Sequence, residues 1–136
     1  MEYRVCRNNP APYNDLNGKI SLLGLGTMRL PLRDAADQTS IDEEKAQEIF
    51  DYAYAHGVNY FDTAYPYHGG MSEKFCGKAL AKYPRASYHL ASKLPGWLLK
   101  CDEDVPRIFN EQLANCRTDY FDFYLAHSVH ELSLIH

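Results

Sequence analysis

Four short apolar segments recur along the chain at intervals that leave room for one helix each: ISLLGLG (20 to 26), VNYFD (58 to 62), YHLASK (88 to 93) and FDFYLAH (121 to 127). The stretches between them change period. Residues 40 to 56 place Ala46, Ile49, Phe50 and Ala53 on one helical face, with Ser40 and Glu43 at capping-box spacing and Gly57 as a left-handed stop. In residues 71 to 83, Phe75, Cys76, Ala79, Leu80 and Tyr83 share a side and Pro84 ends the run; in 102 to 116, Val105, Ile108, Phe109 and Leu113 form the stripe, with Pro106 early enough to be tolerated. An order of β-α-β-α-β-α-β predicts an α/β fold with a parallel sheet and right-handed crossovers. Residues 1 to 19 stand apart: EYRVC and KISL are expected to pair as a hairpin with Asn17-Gly18 at a turn.

The strand ends carry the functional argument. The first segment runs into Gly24-Leu25-Gly26-Thr27, the second ends in Asp62, the third in Lys93 and the fourth in His127. The carboxyl ends of parallel strands are where α/β proteins bind ligands and do chemistry. Taken singly, Asp62 could cap a loop, Lys93 could snorkel and His127 could be a satisfied core histidine. Spacings of 31 and 34 residues, one β-α unit each, let all three converge. Tyr65 and Tyr67 follow Asp62 closely. A tyrosine is a poor acid at neutral pH, with a pKa of about 10, unless an adjacent cation favours its phenolate. A carboxylate would keep that cation fixed, and a neutral histidine could donate to a carbonyl oxygen gaining charge. Such a set suits proton transfer to oxygen, with hydride supplied by a nicotinamide cofactor.

Composition narrows the partners. The 136 residues include 14 basic and 18 acidic side chains, a formal net charge of -4, so there is no basic footprint for nucleic acid. No apolar run approaches the roughly 18 residues of a membrane span, and the N-terminus lacks a signal-peptide core. Cys6, Cys76, Cys101 and Cys116 form no CxxC pair and read as reduced thiols of a cytoplasmic protein, with no metal site. His127 and His130, three apart on an extended strand, face opposite sides and make a poor metal pair.

These motifs resemble the aldo-keto reductase superfamily. LGLGTMRL (23 to 30) is similar to the glycine-threonine segment after the family's first strand, FDTAYPY to its aspartate and catalytic tyrosine, LASKLP to its lysine strand, and DYFDFYLAHS to its histidine strand. In the family the catalytic tyrosine follows the aspartate by five residues, so the resemblance implies Tyr67 and not Tyr65. The nearest likeness is to the bacterial branch whose members often carry a C-terminal iron-sulfur domain; nothing of that domain is visible in this sequence.

The resemblance implies a TIM-type (β/α)8 barrel, of which residues 20 to 128 supply about four β-α units in a single domain, against the roughly 250 residues of a full barrel. It implies NADPH, with NADH as an alternative, and reduction of an aldehyde or ketone. Tyr67 would donate the proton, Lys93 would lower its pKa, Asp62 would hold Lys93, and His127 would polarise the carbonyl. The backbone of Gly26, Thr27 and Met28 and the Asp62 carboxylate would lie beside the nicotinamide ribose. Because the family's second half holds most cofactor-binding groups, the chain alone is expected to be weakly active or inactive. Four strands leave open sheet edges, so a homodimer completing a barrel, or poor solubility, is expected; the alternative to an enzyme is a non-catalytic half-barrel that keeps the tetrad as an interaction module. The closing VHELSLIH departs from the family pattern and is either a non-native tail or native divergence.

Overall fold

A computed structural model describes residues 1 to 5 and 19 to 129. Strand β1 (Tyr3–Val5) pairs antiparallel with β2 (Lys19–Ser21), in the register Tyr3 with Ser21 and Val5 with Lys19. The expected hairpin pairing is therefore present, while the Asn17-Gly18 turn and Cys6 lie outside the described residues. A second, parallel sheet follows in the order β3 (Leu25–Gly26), β4 (Tyr60–Asp62), β5 (His89–Leu94), β6 (Phe123–Ala126). Helices α1 (Glu43–Ala55), α2 (Met71–Leu80) and α3 (Asp104–Asn115) connect neighbouring strands. The arrangement is three complete β-α units and a fourth strand, the half-barrel the sequence predicts.

One expected strand is divided. Residues 20 to 26 do not run straight, because Ser21 is anchored in the hairpin: its amide donates to Asn59 Oδ1 at 2.8 Å and its hydroxyl accepts from the Asn59 amide at 3.1 Å. Leu22 and Leu23 lie exposed between the two sheets. The chain re-enters the barrel at Gly24, where a Cβ would sit 2.9 Å from the Tyr60 ring. The hairpin thus closes the amino-terminal end of the sheet, with Asn59 Nδ2 donating to the Lys19 carbonyl at 3.1 Å.

The start of α1 also differs from expectation. Asp42, not Ser40, is the cap; its side chain accepts from the Lys45 amide at 3.3 Å. Ser40 is used in the preceding loop, where its hydroxyl meets the Asp34 amide at 3.1 Å and the Asp37 carbonyl at 2.7 Å. Gly57 ends the helix at φ +86 as predicted.

The core fills the space between sheet and helices. Phe50 of α1 stacks on Phe61 of β4 at 5.3 Å and meets Phe75 of α2 edge-on at 5.5 Å. Leu80 and Leu90 are fully buried with them, and Ile108 of α3 is equally buried. Burial of each such side chain contributes about 1.5–3 kcal/mol. Cys76 and Cys116 belong to this core, Cys76 fully enclosed with its thiol pushed up to about 11 by burial. Val105 and Ile49, assigned to apolar faces by periodicity, are instead largely exposed. No helix among the described residues is long and apolar enough to cross a membrane.

Candidate active site

Strand alternation decides what faces the barrel interior. In β4, Phe61 turns to the helices, which leaves Tyr60 and Asp62 on the opposite face. In β5, Leu90 and Ser92 turn to the helices, which leaves Lys93 on the Asp62 side. The parallel register sets Asp62 beside Gly26 and Ala91, and Lys93 beside Leu125. The carboxyl ends of the four strands therefore lie next to one another.

Lys93 is the centre of the site. Its ammonium donates to Asp62 Oδ2 and to the Thr63 carbonyl, each at 2.7 Å. It also stands 4.8 Å from the centroid of the Tyr67 ring, over its face. Tyr67 opens a 3₁₀ turn between β4 and α2, and its ring meets that of His127 edge-on at 5.9 Å. His127 follows β6 directly, fixed by its amide to the Leu94 carbonyl at 3.0 Å, and Trp97 packs on its other side at 5.0 Å. Burial and the Lys93 cation lower the His127 pKa from its ordinary value, while Asp62 pulls it back. The net effect favours the neutral imidazole. Its Nδ1 is buried and, among the described residues, has no hydrogen-bond partner.

The other residues predicted for the site divide. Tyr65 is not brought to Lys93: its hydroxyl lies 3.2 Å from both carboxylate oxygens of Glu111 on α3. Gly26 is exposed, and a Cβ there would meet nothing within 4 Å. Met28 is 59% exposed. Thr27 is fully buried and committed to the wall, with its amide 2.9 Å and its hydroxyl 3.0 Å from the Asp62 carbonyl. Its hydroxyl also meets Ser72 Oγ at 2.7 Å.

The aldo/keto reductase family model matches residues 22–133, most of the chain. The chain belongs to the aldo-keto reductase family. It is 33% identical over 117 residues to the L-galactose dehydrogenase of Arabidopsis thaliana, covering 82% of this chain and 35% of that one. It is 30% identical over 135 residues to Protein tas of Escherichia coli, covering 85% and 36%. Among solved structures, an aldo-keto reductase of Bacillus halodurans in its holo form superimposes with a TM-score of 0.69 at 30% identity, over 92% of this chain and 40% of that one. An aldo-keto reductase of Klebsiella pneumoniae, solved with NADPH, gives 0.66 at 27% identity, over 85% and 38%. The chain spans about a third of the length of the curated relatives it matches. These structural neighbours are (β/α)8 barrels, of which this aldo-keto reductase chain forms about half.

Two features of the site have no periodic signal in the sequence. His68, buried beside Tyr67 at a left-handed φ of 53, accepts from the Leu30 amide at 3.0 Å through Nε2 and meets the Gln38 carbonyl at 2.9 Å through Nδ1. It ties the Tyr67 turn to the β3–α1 loop. Its only trace in the sequence is a polar residue beside two glycines. Glu73 and Gln112 are each fully buried behind β5, where helical periodicity expects apolar side chains.

Proposed function

We propose that the chain carries the catalytic portion of a nicotinamide-dependent carbonyl reductase that converts an aldehyde or ketone to its alcohol. The observation that carries this reading is the meeting of Asp62, Lys93, Tyr67 and His127 at one end of the sheet. NADPH is the favoured cofactor, since aldo-keto reductases similar to this chain are solved with it. The groups present fit such a partner: an exposed Gly26 with open space at its Cβ position, an exposed Met28, and a buried histidine nitrogen with no partner among the described residues.

Bound NADPH would supply the hydride to the carbonyl carbon. The chain's own residues manage the proton. Tyr67 Oη gives its hydrogen to the carbonyl oxygen as the C=O π bond breaks and an O–H bond forms. The Lys93 ammonium beside the ring favours the phenolate left behind. Asp62 and the Thr63 carbonyl hold the Lys93 ammonium in place. His127, neutral, donates one hydrogen bond to the oxygen as charge gathers there. The Gly26–Met28 backbone and the Asp62 carboxylate would border the nicotinamide ribose, with the Thr27 amide already committed to the Asp62 carbonyl.

A barrel of this type closes with eight strands. The described sheet has four, with β3 and β6 at its edges. Open edges favour association, so we assign the chain by itself weak turnover and a tendency to pair with a second copy. The rival reading, a half-barrel that keeps the tetrad without catalysis, draws on the same shortfall. Oxidation of NADPH at 340 nm with a panel of aldehydes and ketones separates them. Carbonyl-dependent oxidation that disappears in Tyr67→Phe supports the enzyme; none with the wild-type chain at any concentration supports the rival.

A further inference from the structure

Behind β5, on the side away from Asp62, the barrel wall holds a polar network that the proton-transfer groups do not use. Glu73, in the first turn of α2, is fully buried, and among the described residues no cation pairs with it. Its Oε1 accepts from Ser92 Oγ at 2.7 Å and from Gln112 Nε2 at 2.6 Å, and its Oε2 accepts from Asn115 Nδ2 at 3.3 Å. Gln112, equally buried, also has the Lys93 carbonyl at 3.1 Å and Ser92 Oγ at 3.0 Å within reach of Nε2, whose two hydrogens are shared among the three acceptors. Its Oε1 accepts from the Tyr124 hydroxyl at 2.6 Å.

A buried carboxylate without a cation is costly, and an apolar wall of the same volume is often more stable. Several donors and the positive end of the α2 dipole offset that cost in part. What the polar arrangement provides is a unique geometry. Its members come from α2, α3, β5 and β6, and they meet at one dipeptide. Ser92 and Lys93 point to opposite faces, so from behind Gln112 holds the Lys93 carbonyl and Glu73 holds Gln112 and the Ser92 hydroxyl, while Asp62 and Thr63 steady the ammonium from in front.

We propose that Glu73 and Gln112 are positioning residues for Lys93, fixing its peptide so that the ammonium stays between Asp62 and the Tyr67 ring. The inference deepens the carbonyl-reductase reading and rests on it for its functional meaning. The geometry it claims can be read without cofactor or turnover.

The test uses the full chain labelled with ¹⁵N-lysine. A lysine ammonium held by two hydrogen bonds exchanges slowly and gives a sharp ¹H–¹⁵N signal, which Lys93→Met assigns by its loss. Gln112→Leu removes the link to the Lys93 carbonyl. Tyr124→Phe loosens Gln112 by one hydrogen bond and serves where Gln112→Leu does not fold. Ile108→Val, an ordinary core loss on the same helix, is the control. The expected result is a sharp Lys93 signal in the parent and in Ile108→Val, broadened beyond detection or displaced in Gln112→Leu and Tyr124→Phe at temperatures well below melting. An unchanged Lys93 signal in folded variants would reduce the network to a fastening of helices. A parent chain with no sharp Lys93 signal would overturn the proposal as well. Failure of carbonyl reduction leaves this readout intact, so the two readings fail separately.

Discussion

Lys93 and Asp62 form the one ion pair that faces the barrel interior at the carboxyl end of the described sheet, 2.7 Å apart, with their side chains 13% and 28% accessible. An exposed pair contributes little to stability. This pair is partly shielded and shares its ammonium with the Thr63 carbonyl, so its value lies in holding the cation over the Tyr67 ring. Asp62→Asn leaves the ammonium with the Thr63 carbonyl alone and is expected to cost about 1–3 kcal/mol in stability and to lower kcat by about 10²-fold, within the range of general acid–base contributions. Steady-state kinetics beside a thermal melt measure both.

Acidity should weaken the folded state through His127. Its folded pKa lies below the ordinary 6.5, so the unfolded chain binds more protons between those values. Stability then rises with pH across that window. The group costs nothing above about pH 7, and its penalty grows as pH falls from 6.5 toward the lowered value, below which it levels off. The difference in melting temperature between the wild type and His127→Gln, followed from pH 7.5 to 5, should shift toward the variant on acidification. A difference independent of pH would contradict the burial argument.

At the opposite end of the sheet, Asp122 accepts from Arg85 at 2.6 Å and from the Leu90 amide at 2.8 Å, with His89 Nδ1 3.5 Å away. Burial pushes its pKa up, but the hydrogen bonds from His89, Leu90 and Arg85 outweigh it and the net shift is downward. Arg85→Met leaves that carboxylate without its cation and should cost about 3 kcal/mol in chemical denaturation. NADPH affinity should not change, because the site lies at the other strand ends.

Gly77 and Gly26 predict opposite phenotypes. A Cβ on Gly77 would lie 2.6 Å from the Asn115 carbonyl oxygen and 2.6 Å from the Cys116 backbone carbon, neither of which can move freely. Gly77→Ala should destabilise by about 1–3 kcal/mol through overpacking between α2 and α3. A Cβ on Gly26 meets nothing within 4 Å, so Gly26→Ala should melt normally and weaken NADPH binding instead. Paired denaturation and cofactor titrations decide each half.

Much of this arrangement is legible in the sequence because it is periodic. Ala46 and Phe50 mark the buried face of α1, and alternation in β4 and β5 separates Phe61 and Ser92 from Asp62 and Lys93. The choice of Tyr67 over Tyr65 comes from the family resemblance and not from periodicity; Tyr65 lies beside Glu111. The departures are non-local. Ser40 has the right spacing to cap α1, but a loop bond to Asp37 competes for its hydroxyl, and Asp42 takes its place. Residues 20 to 26 read as one apolar run until Asn59, 38 residues away, captures Ser21. Glu73 and Gln112 are 39 residues apart and buried only because each satisfies the other. No local pattern encodes such a pairing.

The central claim is that the ends of β3 to β6 form a working nicotinamide site. Trp97, the only tryptophan, lies 5.0 Å from His127 and reports on that place directly. We would titrate the chain with NADPH and follow its fluorescence. The account predicts saturable quenching in the micromolar range, retained in Tyr67→Phe and weakened in Gly26→Ala. No quenching at millimolar NADPH in a folded wild-type chain would contradict it, leaving the four converged residues without a cofactor to serve.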